Sequence, residues 1–222
     1  MKRLIIIVEG QTEEEFVKEV LVPFFAGYEI HSVTPIKIAT SKVAKGGFVN
    51  YTHLKNDATR YLREHDTIVT MFVDFFHIPA SLPNYRDCIS DHHTADDKIN
   101  CLEQSIATDI NHTNFIPYIQ KHEFEALLFA SNRGFEELYE RTIYNKTQQI
   151  IDAYPNPEEI NTGAETAPSK RILKIIRDYE KVADGNMIAL EVGIDNILER
   201  CERFSGWIAT LIERMKPGKT AD

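Results

Sequence analysis

Carboxylates sit where apolar runs end. "RLIIIVEGQTEEEF" (3–16) carries five aliphatics, Leu4 to Val8, straight into Glu9, then turns at Gly10 and adds Glu13, Glu14 and Glu15. "DTIVTMFVDFF" (66–76) closes on Asp74, and "NFIPYIQ" (114–120) runs almost directly into "HEFEALLFA" (122–130), with His122, Glu123 and Glu125. A carboxylate that follows a buried strand needs a partner. Several at one place repel unless a positive charge lies between them. A divalent cation is the simple candidate, and all-oxygen ligands suit Mg²⁺ or Mn²⁺ better than Zn²⁺.

Within the first stretch, Gly10 lets the backbone turn. Glu13 then falls in a first helical turn, where the helix dipole favours negative charge, and it can share a cavity with Glu9. Glu14 and Glu15 are expected to face solvent or to cap the helix, Thr12 and Glu15 having capping-box spacing. In "HEFEALLFA", a helix would place His122 and Glu125 on one face and bury Phe124, Leu127 and Leu128. That pair suits a metal or acid–base work, or else a histidine bonded to backbone with Glu125 as its salt partner. "APSKRILKIIRDYEK" (167–181) puts Pro168 and Ser169 in a first turn, whose free amides, with Lys170 and Arg171, could hold a phosphate. The plainer reading is a solvated basic face opposite Ile172, Leu173, Ile175 and Ile176. Lys42 and Lys45 beside Gly46 and Gly47 form a basic lip or simply a loop. His92 and His93 with Asp91, Asp96 and Asp97 read as exposed and capping rather than metal-binding.

The elements that must position these groups follow from periodicity. Strands are expected at 3–8, 28–39, 66–76 and 114–120, with Pro35 marking an edge or a break. Helices are expected after Glu9 (Phe16 and Val20 inward, Pro23 ending or kinking it), at 51–64 and 94–109, and over "HEFEALLFA". The alternation predicts an α/β fold with a mainly parallel sheet, and in such sheets ligands gather at the carboxyl ends of the strands. Beyond residue 131 strand signals fade, and helices are expected at about 133–141, 145–153, 168–180 and 193–215, with 186–193 open between strand and helix. The expected division is an α/β core over 1–131 and a helical region over 132–222 packed on it. Ile194, Ile197, Leu198, Cys201, Phe204, Ile208, Leu211 and Met215 form one apolar stripe, to be buried on the core or offered to a partner.

The bulk numbers set bounds. A chain of 222 residues can bury a substantial core, and a net charge of −9 means that any nucleic acid must be met by local contacts rather than by the overall field. No apolar run is long enough to cross a membrane, and Leu4–Val8 is too short for a signal peptide. Three scattered cysteines, Cys88, Cys101 and Cys201, suggest neither a disulfide framework nor a zinc site, which points to a reducing cytoplasm. There is no P-loop, no Gly-x-Gly-x-x-Gly and no nucleophile elbow, so any ATP hydrolysis would come from a partner.

Glu9-Gly10-Gln11-Thr12-Glu13 on a strand-to-helix turn, with a buried strand ending in Asp74, resembles the Toprim domain of topoisomerases, primases and overcoming-lysogenization-defect (OLD) nucleases. The resemblance implies that Glu9 binds metal or acts in acid–base chemistry, that Glu13 joins it, and that Asp74 is the first residue of a metal-binding Asp-x-Asp pair. The second position here is Phe76, a departure from that pattern. Over nearly its whole length the chain is similar to a bacterial family of Toprim-like proteins of unknown function, through "VEGQTEEEF" (8–16), "VDFFHIP" (73–79), "HEFEALLFA" (122–130) and "INTGAETAPSKRI" (160–172). That likeness implies proteins found beside ATPase genes in phage-defence clusters. The expected function is Mg²⁺- or Mn²⁺-dependent cleavage of phosphodiesters in nucleic acid. Glu9, Glu13, Asp74 and Glu123 would hold metal; Glu9, His122, Glu125 and Lys170 would act in catalysis; Ser169, Lys170 and Arg171 would hold phosphate. The alternative is a non-catalytic ligand-sensing or adaptor module for an ATPase partner. A homodimer stays open.

Overall fold

The structure, a computed structural model, describes residues 2–38, 48–76, 78–90, 92–160 and 163–216. Lys42, Lys45, Gly46, Gly47 and Asp91 therefore lie outside the described residues.

β1 (Arg3–Val8) is followed by α1 (Gln11–Phe16), a π-helical turn over Val17–Leu21 and α2 (Val22–Ala26). Pro23 does not end the helix: the backbone stays helical from residue 11 to 26, and the wider π turn over Val17–Leu21 falls just before the proline, where its ring and missing N–H disturb the regular ladder. β2 (Val33–Lys37) is shorter than expected because residues 27–30 fold back in turns onto Phe24, Phe25 and Ala26. α3 (Tyr51–Leu62), β3 (Thr67–Asp74), α4 (Tyr85–Cys88) and α5 (Ala95–Ile110) come next. Thr94 caps α5 in a reciprocal pair with Asp97. The expected fourth strand is split at Pro117–Tyr118 into β4 (Phe115–Ile116) and β5 (Ile119–Gln120).

All pairings are parallel, in the order β2-β1-β3-β4, with β5 also on β3. Pro35 is tolerated because β2 is an edge. β1 and β3 are central and buried along their length, which is why both read as continuous apolar runs.

Past β5 the chain is helical: a 3₁₀ segment over Phe124–Ala130, α6 (Arg133–Leu138), α7 (Arg141–Ala153), short 3₁₀ turns at Pro157–Glu159 and Ala164–Thr166, α8 (Pro168–Ile175), α9 (Ala183–Val192), α10 (Ile194–Arg200) and α11 (Glu202–Met215). The ambiguous stretch around 186–193 is helix α9. The long C-terminal helix is broken at Cys201, whose extended backbone separates α10 from α11.

The two sheet faces carry two cores. Ile5, Ile7, Val69, Met71 and Val73 pack with α3 and α5. Leu4, Ile6, Val8 and Phe72 pack with α1 and with the helices after residue 131, so the apolar stripe of α10 and α11 is used internally. Trp207 stacks on Tyr118 at 4.4 Å and donates its Nε1–H to Thr70 Oγ1 at 2.9 Å. The cysteine expectation is corrected: Cys88 and Cys101 form a disulfide, because the loop after β3 folds α4 back onto α5. Cys201 stays free and buried. The pairing removes the cysteine argument for a reducing compartment. Among the described residues, no helix is long and apolar enough to cross a membrane.

Candidate functional site

Three phenylalanines fix the geometry of the acidic strand ends. Phe16, at the end of α1, lies 5.2 Å from Phe124 and 6.0 Å from Phe72, all three fully buried. Each stands close in sequence to a carboxylate: Phe16 three residues after Glu13, Phe72 two before Asp74, Phe124 one before Glu125. Packing the rings together, edge-on and tilted, brings the acids to one edge. Glu13 is 3 % exposed, Asp74 6 % and Glu125 fully buried.

Glu9 turns around the end of β1, and its Oε2 accepts from the Asp74 amide at 3.3 Å. Glu13 Oε2 accepts from the Gly10 amide at 2.9 Å, so the true cap of α1 is Gly10 with Glu13, two residues ahead of the expected Thr12–Glu15 box. Glu14 pairs with Lys18 and Lys37, facing away. The cation that meets the acids is Lys181, from the irregular segment before α9. Its Nζ lies 3.2 Å from Glu125 Oε2, 3.5 Å from Asp74 Oδ2 and 3.8 Å from Glu13 Oε1.

One ammonium cannot satisfy this group. Asp74 Oδ1 and Glu125 Oε1 are buried without a hydrogen-bond donor, and Glu125 Oε2 has only the Lys181 ammonium, at 3.2 Å. Burial is the main reason that Glu9, Asp74 and Glu125 are all pushed above the usual carboxylate range, and neighbouring carboxylates add to it. Burial alone would lower Lys181, but Asp74, Glu125 and Glu13 outweigh it and hold the ammonium well above the ordinary lysine value. As they stand, no group of three or more His, Cys, Asp or Glu side chains among the described residues is arranged to hold a metal ion. The donor set nonetheless fits one: hard oxygen ligands, two of the acids carrying oxygens with no internal donor.

The other candidate residues lie apart from this pocket. "HEFEALLFA" is not an α-helix: His122 precedes the 3₁₀ segment with φ of 70°, so His122 and Glu125 share no helix face. His122 is pulled down to about 4, by burial first and then by Lys121. Glu123 takes the N–H and hydroxyl of Ser169, each at 3.0 Å, and so occupies the start of α8 where a phosphate was expected. Arg171 binds the Thr166 and Ile160 carbonyls and the Tyr154 hydroxyl. Lys170 is exposed on α8. Phe76 is half-buried beside the pocket's strand end, and its amide donates to the His122 carbonyl at 2.9 Å. The fourth carboxylate comes instead from Glu125. Lys181 ends the basic segment 167–181, but no local spacing distinguishes it from Lys170 or Lys174; only the fold brings it to the acids.

A family model described as "Domain of unknown function (DUF4276)" matches residues 8–212, and the chain belongs to that family. No curated protein matches it. Among solved structures it is similar to the C-terminal region of the Xanthomonas campestris pv. campestris OLD protein. One structure of that region, phased with platinum, shows 21 % identity over 96 % of this chain and 92 % of the other, with a TM-score of 0.47. A second, phased with mercury, shows 18 % identity over 97 % and 95 %, with a TM-score of 0.45.

Proposed function

We propose that this member of the DUF4276 family is a divalent-cation-dependent phosphodiesterase acting on nucleic acid, with Glu9, Glu13, Asp74 and Glu125 as the acids that would hold Mg²⁺ or Mn²⁺. The observation that carries this reading is the set of donor-less buried oxygens on Asp74 and Glu125. A fold maintained for stability alone would pair them or replace them. The resemblance of Glu9-Gly10-Gln11-Thr12-Glu13 and of the strand ending in Asp74 to the Toprim pattern supports the same reading.

A bound divalent ion supplies Lewis acidity toward a phosphoryl oxygen and toward water. The chain's own groups do the rest. Glu9 is the most accessible of the four acids, and with its affinity for protons raised by burial it is suited to take a proton from an attacking water. Lys181 offers positive charge beside the acids, as a chain of net charge −9 must if it is to meet a polyanion. His122, Glu123, Ser169 and Arg171 have no part in the proposal. An ATPase partner and a defence role rest on the family likeness alone.

The test is cleavage of single- and double-stranded DNA and RNA with Mg²⁺ or Mn²⁺. Glu9→Ala and Asp74→Ala are expected to lower the rate by roughly a hundredfold or more. Activity equal to the parent in both variants would reject the assignment.

A second reading has its own observation: Lys181 already neutralises part of the pocket, and Phe76 stands where a ligand was expected. In that reading the site is structural or senses a ligand for a partner. Calorimetry decides it, since a failure to bind Mg²⁺ and Mn²⁺ at millimolar concentration favours the adaptor.

A further inference from the structure

We propose that the Lys181 ammonium and a divalent cation exclude one another in the acid pocket. Lys181 would be a built-in counter-ion that keeps the carboxylates together until an ion displaces it. This rests on the reading of the pocket as a cation site.

The pocket presents Lys181 with oxygens of Glu13, Asp74 and Glu125 between 3.2 and 3.8 Å from Nζ. These are the oxygens, or the geminal partners of the oxygens, that an incoming ion would use. An ammonium and a divalent ion crowded onto the same carboxylates repel strongly at such separations. One of them must leave, and the structure shows which can. The Glu125 side chain is fully buried, while that of Lys181 is 40 % exposed. Glu125 is held in the 3₁₀ segment beside Phe124, whose ring is locked against Phe16. Lys181 lies between α8 and α9, outside any helix or strand, so its side chain can swing toward solvent without unpacking an element. Nor does its single charge complete the site: with Lys181 in place, Asp74 Oδ1 and Glu125 Oε1 still have no donor. The lysine stabilises the acids without satisfying them, as a replaceable counter-ion should.

The test compares the parent chain with Lys181→Met by calorimetric titration with Mn²⁺. A second arm measures amine acylation of Lys181 in the parent chain, with and without Mn²⁺, by mass spectrometry. The inference expects Lys181→Met to bind Mn²⁺ at least roughly tenfold more tightly, since a competing positive charge is gone. It also expects Mn²⁺ to raise acylation of Lys181 severalfold while that of the exposed Lys146 stays constant. Binding by Lys181→Met with none by the parent supports it equally. Equal affinity in the two proteins, or unchanged Lys181 acylation at saturating Mn²⁺, overturns it and leaves the cation site standing. Binding by neither protein overturns both. Should Lys181→Met fail to fold, the acylation arm decides alone.

Discussion

Two buried polar groups flank the sheet, and they are finished differently. Around α5 and α11, Glu158 is 1 % exposed and its two oxygens accept from the Arg203 and Phe204 amides at 2.7 and 3.1 Å. Glu103 accepts from the Ile119 amide and from Arg203, and Lys121 bridges Asp96 and Glu159. Every carboxylate there has a donor. In the pocket at the ends of β1 and β3, Glu125 is as deeply buried and meets only the Lys181 ammonium at Oε2, its Oε1 having no donor. Burial pushes Glu158, Glu103 and Glu125 all toward the protonated form, so depth does not separate the two groups. Internal satisfaction does. In the first group the deeply buried acids Glu158 and Glu103 close on internal donors and join elements, although Asp96 Oδ1 and Arg203 Nε are left over; in the second the deeply buried acids Asp74 and Glu125 themselves carry the unmet oxygens.

The sharpest way to break that contrast is to neutralise one acid in each group and compare stabilities in chelator. Glu158→Gln turns an amide nitrogen toward a backbone N–H in a buried place, and is expected to cost about 3 kcal/mol by urea unfolding. Glu125→Gln removes one of several like charges and is expected to be neutral or to stabilise by up to about 1 kcal/mol. It should also abolish any stabilisation of the parent by Mn²⁺. Equal losses in the two variants would make the pocket an ordinary structural network.

A smaller effect separates the two groups by pH. His122 lies on the Lys121 side, with its folded pKa near 4 against the ordinary 6.5. Burial keeps it neutral, so the unfolded chain takes up the proton first. The stability it allows is present above pH 6.5 and is lost as pH falls toward 4, amounting to about 2 kcal/mol by about pH 5. His122→Gln should flatten that part of the stability–pH curve measured by denaturant titration. An unchanged slope would place the acid sensitivity elsewhere.

How much of this was legible in the chain depends on the range of the interaction. The strands at 3–8 and 66–76 were visible because both are aliphatic throughout, and Asp74 and Glu9 announced themselves by ending them. Their convergence followed from the parallel order, which the alternation of elements implied. Glu125 was visible, but for a helical reason that does not apply: His122 adopts a left-handed backbone and the segment is 3₁₀. Lys181 was not legible, because its partners at 13, 74 and 125 are set by the path of the helical region, and no local period records that path. The Cys88–Cys101 pair was hidden for the same reason, the return of α4 onto α5 being a property of an irregular loop. The break at Cys201 was masked by an apolar stripe that runs unbroken across it.

The smallest test concerns Glu123, an acid one residue from the pocket's 3₁₀ segment that belongs to neither group. Its carboxylate receives the Ser169 amide and hydroxyl at the start of α8, so its charge is met by two donors and by the helix dipole. Removing one donor leaves the other in place. Ser169→Ala is therefore expected to cost about 1 kcal/mol of stability, the size of a single hydrogen bond to a charged cap. Because the pocket acids do not touch Ser169, Mn²⁺ affinity should not change. If Ser169→Ala instead weakened Mn²⁺ binding while leaving stability intact, Glu123 would have to be counted among the acids that hold the ion, and the boundary between the satisfied and unsatisfied groups would move by one residue.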